Sequence, residues 1–224
     1  MPENLQDNQK MKKINWGDLR KVTPVSRNFG YDRGTPVDRY YIEKFLEENK
    51  ADIRGSVLEI KDRNYTERFG GMKVSFSDIL DIDTSNKSAT IYADFRDTNT
   101  LPKGKYDCII LTQTLHYIDV FDVAIKNLYK MLNKNGILLC TLPSVSRIDY
   151  DFGEEGDFWR FTKASARYIF KKHFAEDKLQ IKTYGNVFTN ICFLEGISME
   201  EITREELDYY DKYFPLIVCV RGAK

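Results

Sequence analysis

Three short apolar runs in the first half of the chain are each closed by an acidic residue. Ser56–Ile60 carries Glu59, Lys73–Phe76 runs into Asp78, and Ala89–Tyr92 runs into Asp94-Phe95. Asp78 follows Glu59 by 19 residues, close to the spacing of about 20 at which an acid meets ribose hydroxyls. A carboxylate there accepts two hydroxyl hydrogen bonds, each strengthened by its charge. Asp81 and Asp83 compete for the role if the second strand runs past its apolar stretch. Asp94 can accept from an exocyclic amine while Phe95 packs a ring face; its plainer reading is a turn cap. The fourth run, Asp107–Leu111, leads into Thr112, Gln113, Thr114, Leu115, His116 and Tyr117. The ordinary titration of His116 suits a general base near neutral pH. The alternative is a packing or capping histidine, and His173, in FKKHF, reads as structural or exposed.

G-x-G-x-x-G does not follow the first run, and G-x-x-x-x-G-K-[ST] occurs nowhere. The first loop instead carries Lys61, Asp62 and Arg63. A glycine cradle for pyrophosphate is therefore not expected, which disfavours an NAD-dependent dehydrogenase and a P-loop nucleotidase. A nucleoside-bearing ligand without pyrophosphate fits better. The 34 Lys+Arg balance 34 Asp+Glu across 224 residues, so neither the basic surface that grips nucleic acid nor a polybasic membrane anchor is expected. With 42% hydrophobic and 13% aromatic residues, the chain can bury a core. Its opening residues show no apolar signal segment. Its longest apolar runs, Cys108–Leu111 and Leu216–Val220, are too short to cross a bilayer. Cys108, Cys140, Cys192 and Cys219 form no CxxC pair and read as buried thiols of a reducing cytoplasm. With two histidines and no ligand cluster, no metal site is expected.

These residues need elements to position them. Residues 1–13 read as a loose leader. Thr35-Pro36 opens a helix, with Asp38 completing a capping box, and Val37, Tyr41, Ile42, Phe45 and Leu46 give it one apolar face. Phe121, Ala124, Ile125, Leu128, Met131 and Leu132 mark a second helix, stopped at Asn135-Gly136. Thr162 caps a third, and Thr203 with Glu206 opens a last one. Strand runs at 136–142, 179–184 and 216–221 complete the pattern. Strands alternating with helices imply a doubly wound, mostly parallel seven-stranded α/β sheet, whose ligands sit beyond the carboxyl ends of the strands. Residues 1–50 are expected to form a leader and lid helix, and residues 51–224 the domain.

The strings VLEIKDRNYTERFGG, SDIL, ATIYADFRD and KYDCIILTQTLHYIDVFDVAIKNLYKMLNKNGILLCTLPSVSRI resemble the class I S-adenosylmethionine-dependent methyltransferases. More narrowly, NFGYDRGTPVDRYYIEKFL, TQTLHYI, FWRFTKASARYIF and REELDYYDKYFPLIVCVRGAK resemble a bacterial group encoded beside glycosyltransferase and polysaccharide-assembly genes. The resemblance spans roughly residues 15–224 and implies the Rossmann-like methyltransferase fold with an N-terminal helical lid. It implies S-adenosylmethionine as cofactor, and roles follow residue by residue. Glu59 lies near the cofactor amino group, Asp78 on the ribose, Asp94 and Phe95 on adenine, and Thr112 and Gln113 on the methionine part. Lys61 stands where the narrower group carries Gly; of a rerouted loop, a Lys aimed at the cofactor carboxylate and weakened binding, the second is favoured. His116 is the first candidate for the base, with Asp149 and Asp151 behind it. Arg33, Arg39 and Tyr40 before the sheet, and Trp159 and Arg160 after the fifth strand, are candidate acceptor-binding residues. The gene company implies a saccharide or saccharide-linked acceptor and glycosyltransferase pathway partners. A small-metabolite methyltransferase and a non-catalytic cofactor-binding scaffold are the alternatives.

Overall fold

Successive side chains of a strand point to opposite faces, and the run CIIL uses this fully. Cys108 and Ile110 belong to one core, Ile109 and Leu111 to the other. A strand apolar on both faces needs cover on both. The computed structural model, which describes Asn15 and residues 17–224, supplies it. The expected leader, residues 1–13, lies outside the described residues.

The strands are β1 (Gly55–Ile60), β2 (Val74–Asp81), β3 (Ile91–Tyr92), β4 (Tyr106–Thr112), β5 (Leu132–Pro143), β6 (Leu179–Tyr184) and β7 (Ile217–Ala223). They form one sheet in the order β3-β2-β1-β4-β5-β7-β6. β7 runs antiparallel to β5 and β6, and the remaining pairs are parallel. The order reverses between β1 and β4, which is the switch point of a doubly wound sheet. Helices α1 (Val37–Glu48), α5 (Val187–Glu195) and α6 (Arg204–Asp208) lie on one face; α2 (Phe121–Met131) and α4 (Lys163–Phe170) cover the other. A single turn, α3 (Gly153–Gly156), interrupts the loop after β5. The seven-stranded, mostly parallel architecture is the one expected, with its N-terminal helix in place. α1 is not detached from the rest: Val37, Tyr41, Ile42, Phe45 and Leu46 share a core with Val57 and Leu139.

Two caps follow the local sequence. Thr162 accepts from the Ser165 amide at 3.1 Å, and Thr203 pairs reciprocally with Glu206. The Thr35–Asp38 box does not form. Thr35 gives both its amide and its hydroxyl to Glu200, and α1 begins without a side-chain cap. Asp38 is buried instead beside Arg39. α2 also ends earlier than its apolar pattern suggests, because Leu132 already pairs with β4.

Candidate functional site

A cavity of about 730 Å³ opens beyond the carboxyl ends of β1 to β5. Two sharp reversals make room for it. Lys61, directly after β1, has φ 68°, and Gln113, directly after β4, has φ 45°. Left-handed backbone is costly for residues with a Cβ, by about 1–3 kcal/mol in such sites. Each turn is held by hydrogen bonds. The Lys61 amide donates to the Leu80 carbonyl at 3.1 Å, and its carbonyl accepts from Asn86 at 2.7 Å. The Gln113 amide donates to the Thr141 carbonyl at 3.0 Å. Lys61 thus makes a left-handed turn although it carries a Cβ, and the residue lines the cavity wall.

Glu59, Lys61, Asp94, Phe95, Thr112, Gln113, His116 and Arg39 all line this cavity. Glu59 is buried, and its carboxylate accepts from the amides of Tyr65 at 3.1 Å and Thr66 at 2.7 Å. Burial pushes its pKa up to about 7 against those donors. Asp94 accepts from the amide and guanidinium of Arg96, whose side-chain bonds hold its pKa low. Asp38 sits in the wall beside Arg39, and burial raises its pKa.

His116 rides on a short turn, Leu115–Tyr117, after β4. Its ring is buried against Tyr117, centroid to centroid 3.8 Å, and Nδ1 is buried without a hydrogen-bond partner. Burial lowers its pKa to about 4, so the imidazole is neutral at neutral pH. Tyr117 stacks on Phe152 at 3.7 Å and donates to Asp149 at 2.7 Å.

Five residues of the expected site lie elsewhere. Asp78 sits inside β2, opposite Leu58, because that strand continues five residues beyond Phe76. Its carboxylate accepts from Thr90 and Tyr106, both at 2.8 Å, and from Lys105. Burial alone would raise its pKa, but these donors outweigh burial and hold it below its ordinary value. Asp81, at the true end of β2, lines the cavity in its place. Arg33 is ion-paired with Glu201. Tyr40 donates to Asp208 at 2.7 Å under the Arg204 guanidinium. Trp159 donates to the Ile118 carbonyl at 3.0 Å and packs edge-on against Phe121. Arg160 is bound to Asp157 at 2.6 and 2.9 Å and holds the Arg147 carbonyl at 2.7 Å. These four serve the scaffold, not the cavity.

Residues that sequence reasoning passed over complete the wall: Phe29, Tyr65, Arg147, Tyr150 and Phe152. No spacing signal marks them, since they come from three separate loops. Among the described residues no cluster of metal-ligating side chains occurs, and no helix is long and apolar enough to cross a membrane.

Residues 25–205 match the model of a family described as a methyltransferase domain. No curated protein matches the chain. Several solved structures share its fold. An S-adenosylmethionine-dependent methyltransferase from Archaeoglobus fulgidus is 13% identical, covers 83% of this chain and 94% of its own, and superposes with a TM-score of 0.55. One from Mesorhizobium loti is 13% identical, with coverage of 87% and 100% and a TM-score of 0.56. The N-methyltransferase NodS from Bradyrhizobium japonicum, solved with S-adenosyl-L-homocysteine, is 12% identical, with coverage of 90% and 94% and a TM-score of 0.54. Identities this low speak for the fold alone.

Proposed function

Because this chain belongs to the methyltransferase-domain family, we propose that the cavity binds S-adenosylmethionine and methylates an oxygen of a saccharide or saccharide-linked acceptor. One observation carries the cofactor assignment. The ends of three adjacent parallel strands, β1, β2 and β3, deliver Glu59, Asp81 and Asp94 into one cavity at the switch point. That set of acceptors fits a ligand with an ammonium, two ribose hydroxyls, an exocyclic amine and a positive sulfur. When bound, the cofactor supplies an electrophilic methyl group.

The chain's own residues do the rest. Glu59 faces the amino group while its other lone pairs remain on the Tyr65 and Thr66 amides. Asp81 accepts from the ribose hydroxyls. Asp94 meets the adenine amine, and Phe95 and Ala93 flank the ring. Thr112 and Gln113 bound the methionine part, and Lys61 reaches for its carboxylate. His116 is already neutral and holds the proton that leaves the acceptor hydroxyl. A base with a pKa of about 4 takes that proton late, once the oxygen has begun to bond to carbon. Much of the rate then comes from holding the reactants aligned away from water.

The saccharide acceptor is supported by the sequence resemblance and by the aromatic side chains Phe29, Tyr117, Tyr150 and Phe152 among the cavity lining. The four buried free cysteines suit the expected reducing cytoplasm, and the expectation of glycosyltransferase pathway partners rests on the sequence resemblance alone. Calorimetry with S-adenosylmethionine and S-adenosylhomocysteine tests the core of the reading; binding of neither sinks it. A labelled-donor screen over glycans then tests the acceptor class.

A further inference from the structure

Arg147 lies in the loop after β5 and lines the cavity. Its guanidinium is sandwiched between two rings, 3.6 Å from the Phe29 centroid and 4.3 Å from that of Tyr150. Stacking satisfies the faces of the cation but leaves its in-plane donors to other partners. One, Nη1, donates to the neighbouring Ile148 carbonyl at 2.6 Å. Nε is buried with no partner. No described carboxylate forms an ion pair with Arg147, whereas Arg39, Arg68 and Arg96 in the same wall each have one. The nearby Asp149 is occupied by the Tyr117 hydroxyl and the Asp151 amide.

The loop is fixed rather than loose. Arg160 holds the carbonyls of Ser146 and Arg147, and Asp157 binds both Arg160 and the Asp149 amide. Nη2 of Arg147, by contrast with Nε, is not buried and has no hydrogen-bond partner among the described residues, so an acceptor oxygen from outside the chain can meet the guanidinium edge there. The Tyr117 ring, which touches His116, belongs to the same wall.

We propose that Arg147, clamped between Phe29 and Tyr150, binds an anionic oxygen group of the acceptor, so that the substrate is an acidic ring compound carrying a carboxylate or a phosphate. This rests on the acceptor reading above and narrows it. The group sets which hydroxyl faces His116, because one end of the acceptor is pinned by the guanidinium and stacked on Tyr150 and Phe152.

The test is calorimetric titration of glucuronate, glucose 1-phosphate and glucose, each with and without S-adenosylhomocysteine. The wild-type chain is expected to bind at least one of the two acids roughly tenfold or more tightly than glucose, the scale of one charge-assisted bond. The preference should fall with added salt. Arg147→Gln should abolish it while binding S-adenosylhomocysteine as before, and Arg147→Lys should restore part of it. Which acid binds distinguishes carboxylate from phosphate. Equal binding of glucose, no binding of either acid at millimolar concentration, or a preference that survives in Arg147→Gln overturns the proposal. Failure of S-adenosylhomocysteine to bind the wild-type chain overturns the methyltransferase reading instead, and the acid preference is still measured without it.

Discussion

Asp78 and Asp81 lie three positions apart in β2, yet they should fail in opposite ways when altered. In Asp78→Ala, the Tyr106 hydroxyl loses its acceptor inside the core, where Tyr106 is fully buried. An orphaned buried donor costs about 1–3 kcal/mol. Thr90 keeps a weaker contact to the Ile79 carbonyl at 3.3 Å, and Lys105, with a side chain 38% exposed, returns to water for about 0–1 kcal/mol. The sum is a destabilisation of about 1–4 kcal/mol, read as a shift in the urea midpoint with the slope unchanged. Affinity for S-adenosylhomocysteine, measured well below the midpoint, should stay within about twofold, under half a kcal/mol. Asp81→Asn should do the reverse. Its amide oxygen can still accept from the Asp83 amide, now at 3.0 Å, while the Asn86 amide loses its 2.8 Å acceptor on residue 81 and keeps the Lys61 carbonyl. The ribose hydroxyls lose a charged acceptor, at a cost of about 1–3 kcal/mol in binding. A normally stable Asp78→Ala that cannot bind, or an Asp81→Asn that binds as well as wild type, would refute this placement of the ribose site.

The other expectations concern the same cavity. Glu59 has a folded-state pKa raised from 4.5 to about 7 by burial, so the folded chain holds its proton more tightly than the unfolded one. The stability this confers is present below pH 4.5 and is lost as the pH rises through about 7, a fall of about 3 kcal/mol; chemical denaturation across that range should show it, and Glu59→Gln should flatten it. The cofactor's amino group needs the carboxylate, so S-adenosylhomocysteine affinity should rise over the same interval in the wild type alone. For His116→Gln, binding should persist while turnover falls by about 10²–10⁴, and the wild-type kcat should lose activity only as the pH approaches about 4; full turnover would remove the base assignment. Lys61→Gly should relieve the left-handed strain and stabilise the fold by about 1 kcal/mol, yet weaken S-adenosylhomocysteine if the lysine holds its carboxylate; unchanged affinity would free Lys61 of that role.

The elements that were legible in the sequence are those whose signal is local. Cys108–Leu111 announces a strand covered on both faces, and Thr203 with Glu206 writes its own cap. The errors share a different character. The polar interior of β2 looks like a strand end until Thr90, Lys105 and Tyr106 arrive from 12, 27 and 28 residues away. Thr35 looks like a cap until Glu200, 165 residues on, takes both its donors. A residue type advertises chemistry, but its partners decide whether that chemistry is free.

That distinction sorts the arginines of the candidate acceptor site. Arg33 and Arg160 attract notice by their aromatic and glycine neighbours in sequence, and both are already neutralised by Glu201 and Asp157. A cation in a bidentate pair with its own scaffold has to give up that pair before it can bind a substrate. Arg147 has an unremarkable setting, SVSRI, and no carboxylate partner among the described residues. Its aromatic clamp joins residues 29, 147 and 150 across the chain. Arg160 therefore holds the loop after β5 and Arg33 ties the segment before α1 to Glu201, which leaves Arg147 to meet the proposed acceptor. Scaffold and site use the same residue type here, and long-range pairing is what separates them.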